Sequence, residues 1–202
     1  MGRKLNLVQI ERGLRDKGFK IFTPFEFTRI FETSFVSAQK FLERYTKKGV
    51  FARVKKGLYI SNLDPPNEMV LANRIYFPSY ISFESALSYY GLIPETVYSI
   101  TSATTKPTRE FFLGEMAFSY SKIKKEAFTG YTPEQFEGET VLIATPEKAF
   151  CDYFYFVNLG KKSLNERLKL DKLDFAKVRS YAQLFKRKGL ERIINDFARK
   201  TK

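Results

Sequence analysis

With 202 residues, 44% of them hydrophobic and 28% charged, the chain can bury a real core, and no apolar run in it approaches the ~18 residues of a membrane helix. Histidine is absent, which removes Ser–His and Cys–His nucleophile pairs, imidazole bases and histidine-containing zinc sites, and the one cysteine, Cys151, cannot close an internal disulfide. A formal charge of +13 points to a polyanionic partner.

The start, "MGRKLNLVQIERG", lacks the apolar core of a signal peptide, so a cytoplasmic protein is expected, with no cofactor. Leu7, Ile10 and Leu14 recur at helical spacing and Gly18 offers a stop. A second helix opens at "FTPFEF": Thr23 caps, Pro24 suits the first turn, and Glu26 completes a capping box. Ser34 caps a third helix over 35–48, whose apolar stripe is read as Phe35, Ala38, Leu42 and Tyr45, with Phe41 beside it. Gly49 ends that helix after Lys47 and Lys48, where cations suit the negative end of the dipole.

Ser37, Lys40, Arg44 and Lys47 stand three, four and three apart and can share one exposed face. "VFARVKKGLYI" then reads as two strands across a basic turn at Gly57. Three helices followed by such a hairpin form the layout of a winged helix-turn-helix, whose third helix enters a major groove while the hairpin follows the phosphates. Base readout is assigned to Ser37, Gln39, Lys40 and Arg44. Lys47, Lys48, Arg53, Lys55 and Lys56 are assigned to phosphates, where each neutralised charge releases counterions.

"SNLDPPNE" is a stiff polar break at which the charge changes sign. Residues 1–62 hold 14 Lys/Arg against 5 Asp/Glu, residues 63–157 hold 7 against 12, and residues 158–202 return to 14 against 5. The expected organisation is a winged-helix domain over 1–62, a linker over 63–67 and a second domain over 68–202. In that second domain Ser82 is read as the cap of a helix through "FESALSYY", with Gly91 at its end and Leu92 as the contact beyond. "ETVYSITSATT" reads as a strand, "REFFLGEMAFSY" as a hairpin about Gly114–Glu115, and "TVLIAT" as a buried strand. Thr145 and Pro146 repeat the start device of residue 23, and two basic helices, near 174–187 and 190–200, close the chain. The fold class expected is α+β: a winged helix, then a mixed α/β domain ending in basic helices.

"KKGLYI", "SYISFESALSYYGLIPE", "SITSATTKPTREF" and "VLIATPEKAFCDYFYF", in this order, resemble the AbiEi-type antitoxin family of type IV toxin–antitoxin systems. The resemblance spans nearly the whole chain and rests on four ordered motifs. It implies a non-enzymatic transcriptional autorepressor that binds double-stranded operator DNA through its winged helix. Its partner would be a nucleotidyltransferase-like toxin, opposed without a stable complex between the two. No membrane partner is expected. Repressors often pair on repeated half-sites, yet no heptad marks an interface here.

The resemblance carries over no active site. Glu84, Glu147, Lys148 and Asp152 could form a functional polar cluster, or serve the fold through hydrogen bonds and surface. A metal-dependent nuclease would use the same four residues, but adjacent Glu147 and Lys148 diverge by ~100° on a helix. A winged-helix regulator with a ligand- or protein-sensing C-terminal domain fits the same pattern. Lys161, Lys162, Lys186, Arg187 and Lys188 of the tail could also contact nucleic acid, or form solvated helix faces.

Overall fold

The computed structural model describes residues 5–200, and between Ile75 and Tyr76 the chain divides into two compact units. The protein is mixed α+β, with helices and sheets in both units. No helix among the described residues is long and apolar enough to cross a membrane.

The first unit begins with α1 (Leu7–Asp16), capped by Asn6, whose side chain accepts from Val8 N and Gln9 N. After the two-residue strand β1 (Ile21–Phe22), α2 (Pro24–Phe31) starts with the expected capping box: Glu26 N donates to Thr23 Oγ1 at 3.1 Å and Thr23 N to Glu26 Oε2 at 2.7 Å. Ser34 caps α3 (Phe35–Lys47), and Gly49, at φ 76°, turns the chain into β2 (Phe51–Lys55). β2 pairs antiparallel with β3 (Leu58–Ser61), and β1 adds to the other side of β3. Ile10, Leu14, Phe22, Phe27, Phe41, Leu42 and Phe51 are all buried here, and much of that core is aromatic. Phe22 meets Phe51 edge-on at 5.6 Å, a geometry the ring quadrupole favours.

α4 (Glu68–Ile75) corrects the expected boundary. Residues 63–67 do form a connection without regular structure, but the helix after them belongs to the first unit. Arg74 Nη2 contacts Glu26 Oε1 at 3.0 Å, and Lys55 Nζ donates to the Ile75 carbonyl at 2.5 Å.

The second unit is built on a six-stranded sheet of order β6-β7-β5-β4-β9-β8. Its strands are β4 (Ser79–Ile81), β5 (Ser99–Thr104), β6 (Arg109–Leu113), β7 (Met116–Lys122), β8 (Tyr131–Phe136) and β9 (Glu139–Ala144). The β6–β7 hairpin turns at Gly114–Glu115, as expected. α5 (Phe83–Tyr89) ends as expected, with Gly91 at φ 67° and Leu92 N donating to the Leu87 carbonyl at 2.8 Å. Thr145 caps and Pro146 opens α6 (Pro146–Asn158), in which every residue from Glu147 to Phe156 is buried. A helix buried on all sides is the centre of a unit rather than its surface. α7 (Phe175–Leu184) packs on α6, where the Cys151 thiol donates to the Val178 carbonyl at 3.1 Å and burial pushes its pKa well up. α8 (Leu190–Lys200) follows Gly189 and buries Leu190, Ile194 and Phe197.

Candidate nucleic-acid interface

The side of α3 that faces outward follows from the side it buries. Ala38, Phe41 and Leu42 are buried, so the core stripe is rotated toward Phe41 relative to the expected one, and Phe35 is 47% exposed. With 3.6 residues per turn, the ridge opposite this stripe is Val36, Lys40, Glu43 and Lys47. Val36 is 59% exposed. Ser37 and Arg44 lie on one flank of the ridge and Gln39 on the other, and all three are exposed.

Two of the expected base readers are partly occupied. The Ser34 hydroxyl donates to Ser37 Oγ at 2.8 Å, which ties Ser37 to the helix cap. The Arg44 guanidinium carbon stands 5.3 Å from the Tyr45 ring and 6.0 Å from the Phe41 ring, so Arg44 leans along its own helix. Lys48 also sits over Tyr45, at 5.5 Å.

On the hairpin, Arg53 and Lys56 are exposed, and Gly57, at φ 78°, allows a two-residue turn between paired Lys55 and Leu58. Lys55 differs from expectation. It is half-buried, and its ammonium group sits at the C-terminal end of α4, where the helix dipole favours a cation. It serves the fold of the first unit rather than an open surface.

A hollow of about 240 Å³ lies between α3 and the hairpin, lined by Glu43, Thr46 and Lys47 from the helix and by Arg53 and Tyr59 from the strands. Thr46 Oγ1, in the last turn of α3, is buried beneath it without a hydrogen-bond partner, although a helical threonine commonly bonds the preceding turn. Two cations from separate elements, Lys47 and Arg53, thus line one hollow together with the single carboxylate of Glu43. Val36, Glu43 and Thr46 lie outside the contacts expected from sequence. Taking the densest apolar stripe, Ala38–Phe41–Leu42, as the core would have placed Val36 and Glu43 outward.

In the second unit, the four polar residues read as one cluster separate into three arrangements. Glu84 pairs with Lys162, whose Nζ reaches its two oxygens at 2.5 and 2.7 Å. Glu147 Oε1 accepts from Asp174 N at 3.4 Å, at the start of α7. Lys148 and Asp152 form an ion pair with no exposed surface on either side chain. Asp152 Oδ2 also accepts from Ser82 Oγ at 2.7 Å and Tyr80 Oη at 2.9 Å. Burial pushes the Asp152 carboxyl above its usual range, against the pull of Lys148 and the two hydroxyls.

Ser82 therefore caps no helix, because its hydroxyl is turned to Asp152. Phe83, at φ 54°, makes that turn in a conformation a bulky residue rarely adopts. Among the described residues no three of Cys, Asp and Glu stand close enough to share a metal ion. The ligand set considered for a nuclease is thus dispersed.

No protein-family model matches the chain, and none of the curated proteins compared matches it in sequence.

Proposed function

We propose that the protein is a DNA-binding transcriptional autorepressor and the antitoxin of a type IV toxin–antitoxin system, acting in the cytoplasm. In this reading the first unit is a winged helix-turn-helix: α3 lies in a major groove and the β2–β3 hairpin beside the adjacent phosphates. The observation that carries it is the shared hollow, to which Lys47 of α3 and Arg53 of β2 both contribute. A single phosphate placed there would meet cations from the helix and the hairpin at once. Lys40, Arg44, Lys48 and Lys56, all exposed in the same unit, extend the positive field.

The antitoxin role rests on the four ordered motifs that resemble that family. The second unit would then oppose a nucleotidyltransferase-like toxin, without chemistry of its own. Glu84, Glu147 and Asp152 are each engaged in a separate structural contact, which argues against a metal-dependent nuclease built on those residues.

Two experiments test the reading. Gel-shift titration of the full chain on duplex from upstream of its own gene should show binding that weakens steeply with salt, and failure at low ionic strength would overturn DNA binding. Co-expression with the adjacent reading frame tests the second half. A frame that is harmless when expressed alone would end the antitoxin assignment and leave the regulator standing.

A further inference from the structure

The second unit holds a cavity of about 860 Å³ between α7, α8 and the segment 169–171. Helical periodicity assembles it. Phe175 and Arg179 are four apart on α7, while Asn195, Ala198 and Arg199 fall within two successive turns of α8, so each helix presents one face to the space. Buried Leu168 and Leu173 anchor the segment that brings Lys169 and Asp171 to the rim.

Among the described residues neither Arg179 nor Arg199 has an ion-pair partner, nor has the Lys169 ammonium, so three cations against the single carboxylate of Asp171 line one concave site with a net positive charge. The Phe175 ring is half-buried and meets the Phe150 ring at 6.5 Å, while part of it lines the cavity. Ala198, by being small, leaves the room.

We propose that this cavity binds a ribonucleoside di- or triphosphate. Arg179, Arg199 and Lys169 take the phosphates, whose geometry suits the guanidinium fork. The base lies against Phe175, and Asp171 accepts from the ribose hydroxyls. The volume falls within the range of about 300–1,000 Å³ usual for small-ligand sites. A nucleic-acid strand is the less suitable occupant, since strand-binding grooves stack successive bases on several aromatic residues and this cavity offers one. The site stands independently of duplex binding by the first unit.

Calorimetric titration of the full chain with ATP and GTP, without divalent cations, tests it. One-to-one saturable binding of at least one nucleotide is expected, weakened roughly ten- to a hundredfold by Arg179→Ala or Arg199→Ala. Ala198→Phe, which intrudes on the space beside Arg199 while keeping every charge, should weaken it at least tenfold, with circular dichroism confirming an unchanged fold. Lys186→Ala, outside the cavity, should leave it intact. Absence of binding by both nucleotides overturns the proposal, as does equal weakening by Lys186→Ala. Inorganic tripolyphosphate binding as tightly as the nucleotides would remove the base contact and overturn the nucleotide assignment. Ten-residue oligouridylate binding more tightly through the same arginines would overturn it too, making the cavity part of a strand-binding surface.

Discussion

Lys47, in the last turn of α3, and Arg53, in the middle of β2, line one hollow beneath which the Thr46 hydroxyl has no partner. They stand six residues apart in the chain, and the Gly49 turn brings them together. This arrangement makes the helix and the hairpin one surface, and the division of labour on it can be tested residue by residue.

Charge reversal at Lys47 or Arg53 should weaken binding to specific and random duplex alike. Neutralising either with alanine should reduce the slope of log K against log salt by about one. Lys55→Ala should leave that slope unchanged and instead lower the stability of the first unit by about 1 kcal/mol, because the α4 terminus loses its cation. Filter binding over a salt series and thermal unfolding separate the two effects. An unchanged melting curve with a flattened slope for Lys55→Ala would reverse the assignment.

Base preference should follow the outward ridge. Val36 suits a thymine methyl and Glu43 a cytosine amino group. Seven residues of helix span ~10.5 Å, about three base pairs, so the two readers should act about three positions apart. Selection from random duplexes should give a motif in which Val36→Ala relaxes one position and Glu43→Gln another. Glu43→Gln should also tighten binding to random sequence by removing a like charge from the phosphates. If both variants select the wild-type motif, the readers lie elsewhere.

Lys148→Met leaves the Asp152 carboxyl buried with only hydroxyl donors and should cost about 3–5 kcal/mol. Removing both charges with Lys148→Met and Asp152→Leu should cost much less, because no uncompensated ion remains. Denaturant unfolding of the three chains checks this. A double variant as unstable as the single one would show that the hydrogen bonds to Tyr80 and Ser82 matter more than the charges.

Glu26 gives the first unit an acid-sensitive element. Burial raises its pKa, but the Thr23 N–H, the Thr23 hydroxyl and Arg74 outweigh it and hold the carboxyl below its usual range. A lowered native pKa contributes stability above the unfolded value, near 4.3, which is lost as pH falls through the native one. The stability gap between wild type and Glu26→Gln should therefore narrow below about pH 4. A gap independent of pH from 3 to 7 would show that ionisation of Glu26 contributes nothing to stability.

Much of the architecture could be read from local patterns, since caps, glycine stops and tight hairpins are decided within a few residues. Thr23, Ser34, Thr145, Gly91 and Gly114–Glu115 all act where the sequence places them. The misses come from distant partners. β1 is two residues long and exists through its pairing with β3, while β8 carries Pro133, which argues against a central strand and is tolerated because β8 lies at the edge of the sheet. Ser82 obeys the local rule for a cap, but Asp152, seventy residues away, takes its hydroxyl. The candidate interface was legible as a basic helix and hairpin. Its facing was not, because Phe35 and Phe41 compete for the core and only packing chooses between them.

Titration of the full chain against labelled duplex at low ionic strength, wild type beside Lys47→Glu and Arg53→Glu, tests the shared surface most directly. Tight, salt-sensitive binding by the wild type, with comparable loss in each variant and unchanged thermal unfolding, is the predicted result. Wild-type affinity retained by both variants, or no affinity in any of the three chains, would contradict it.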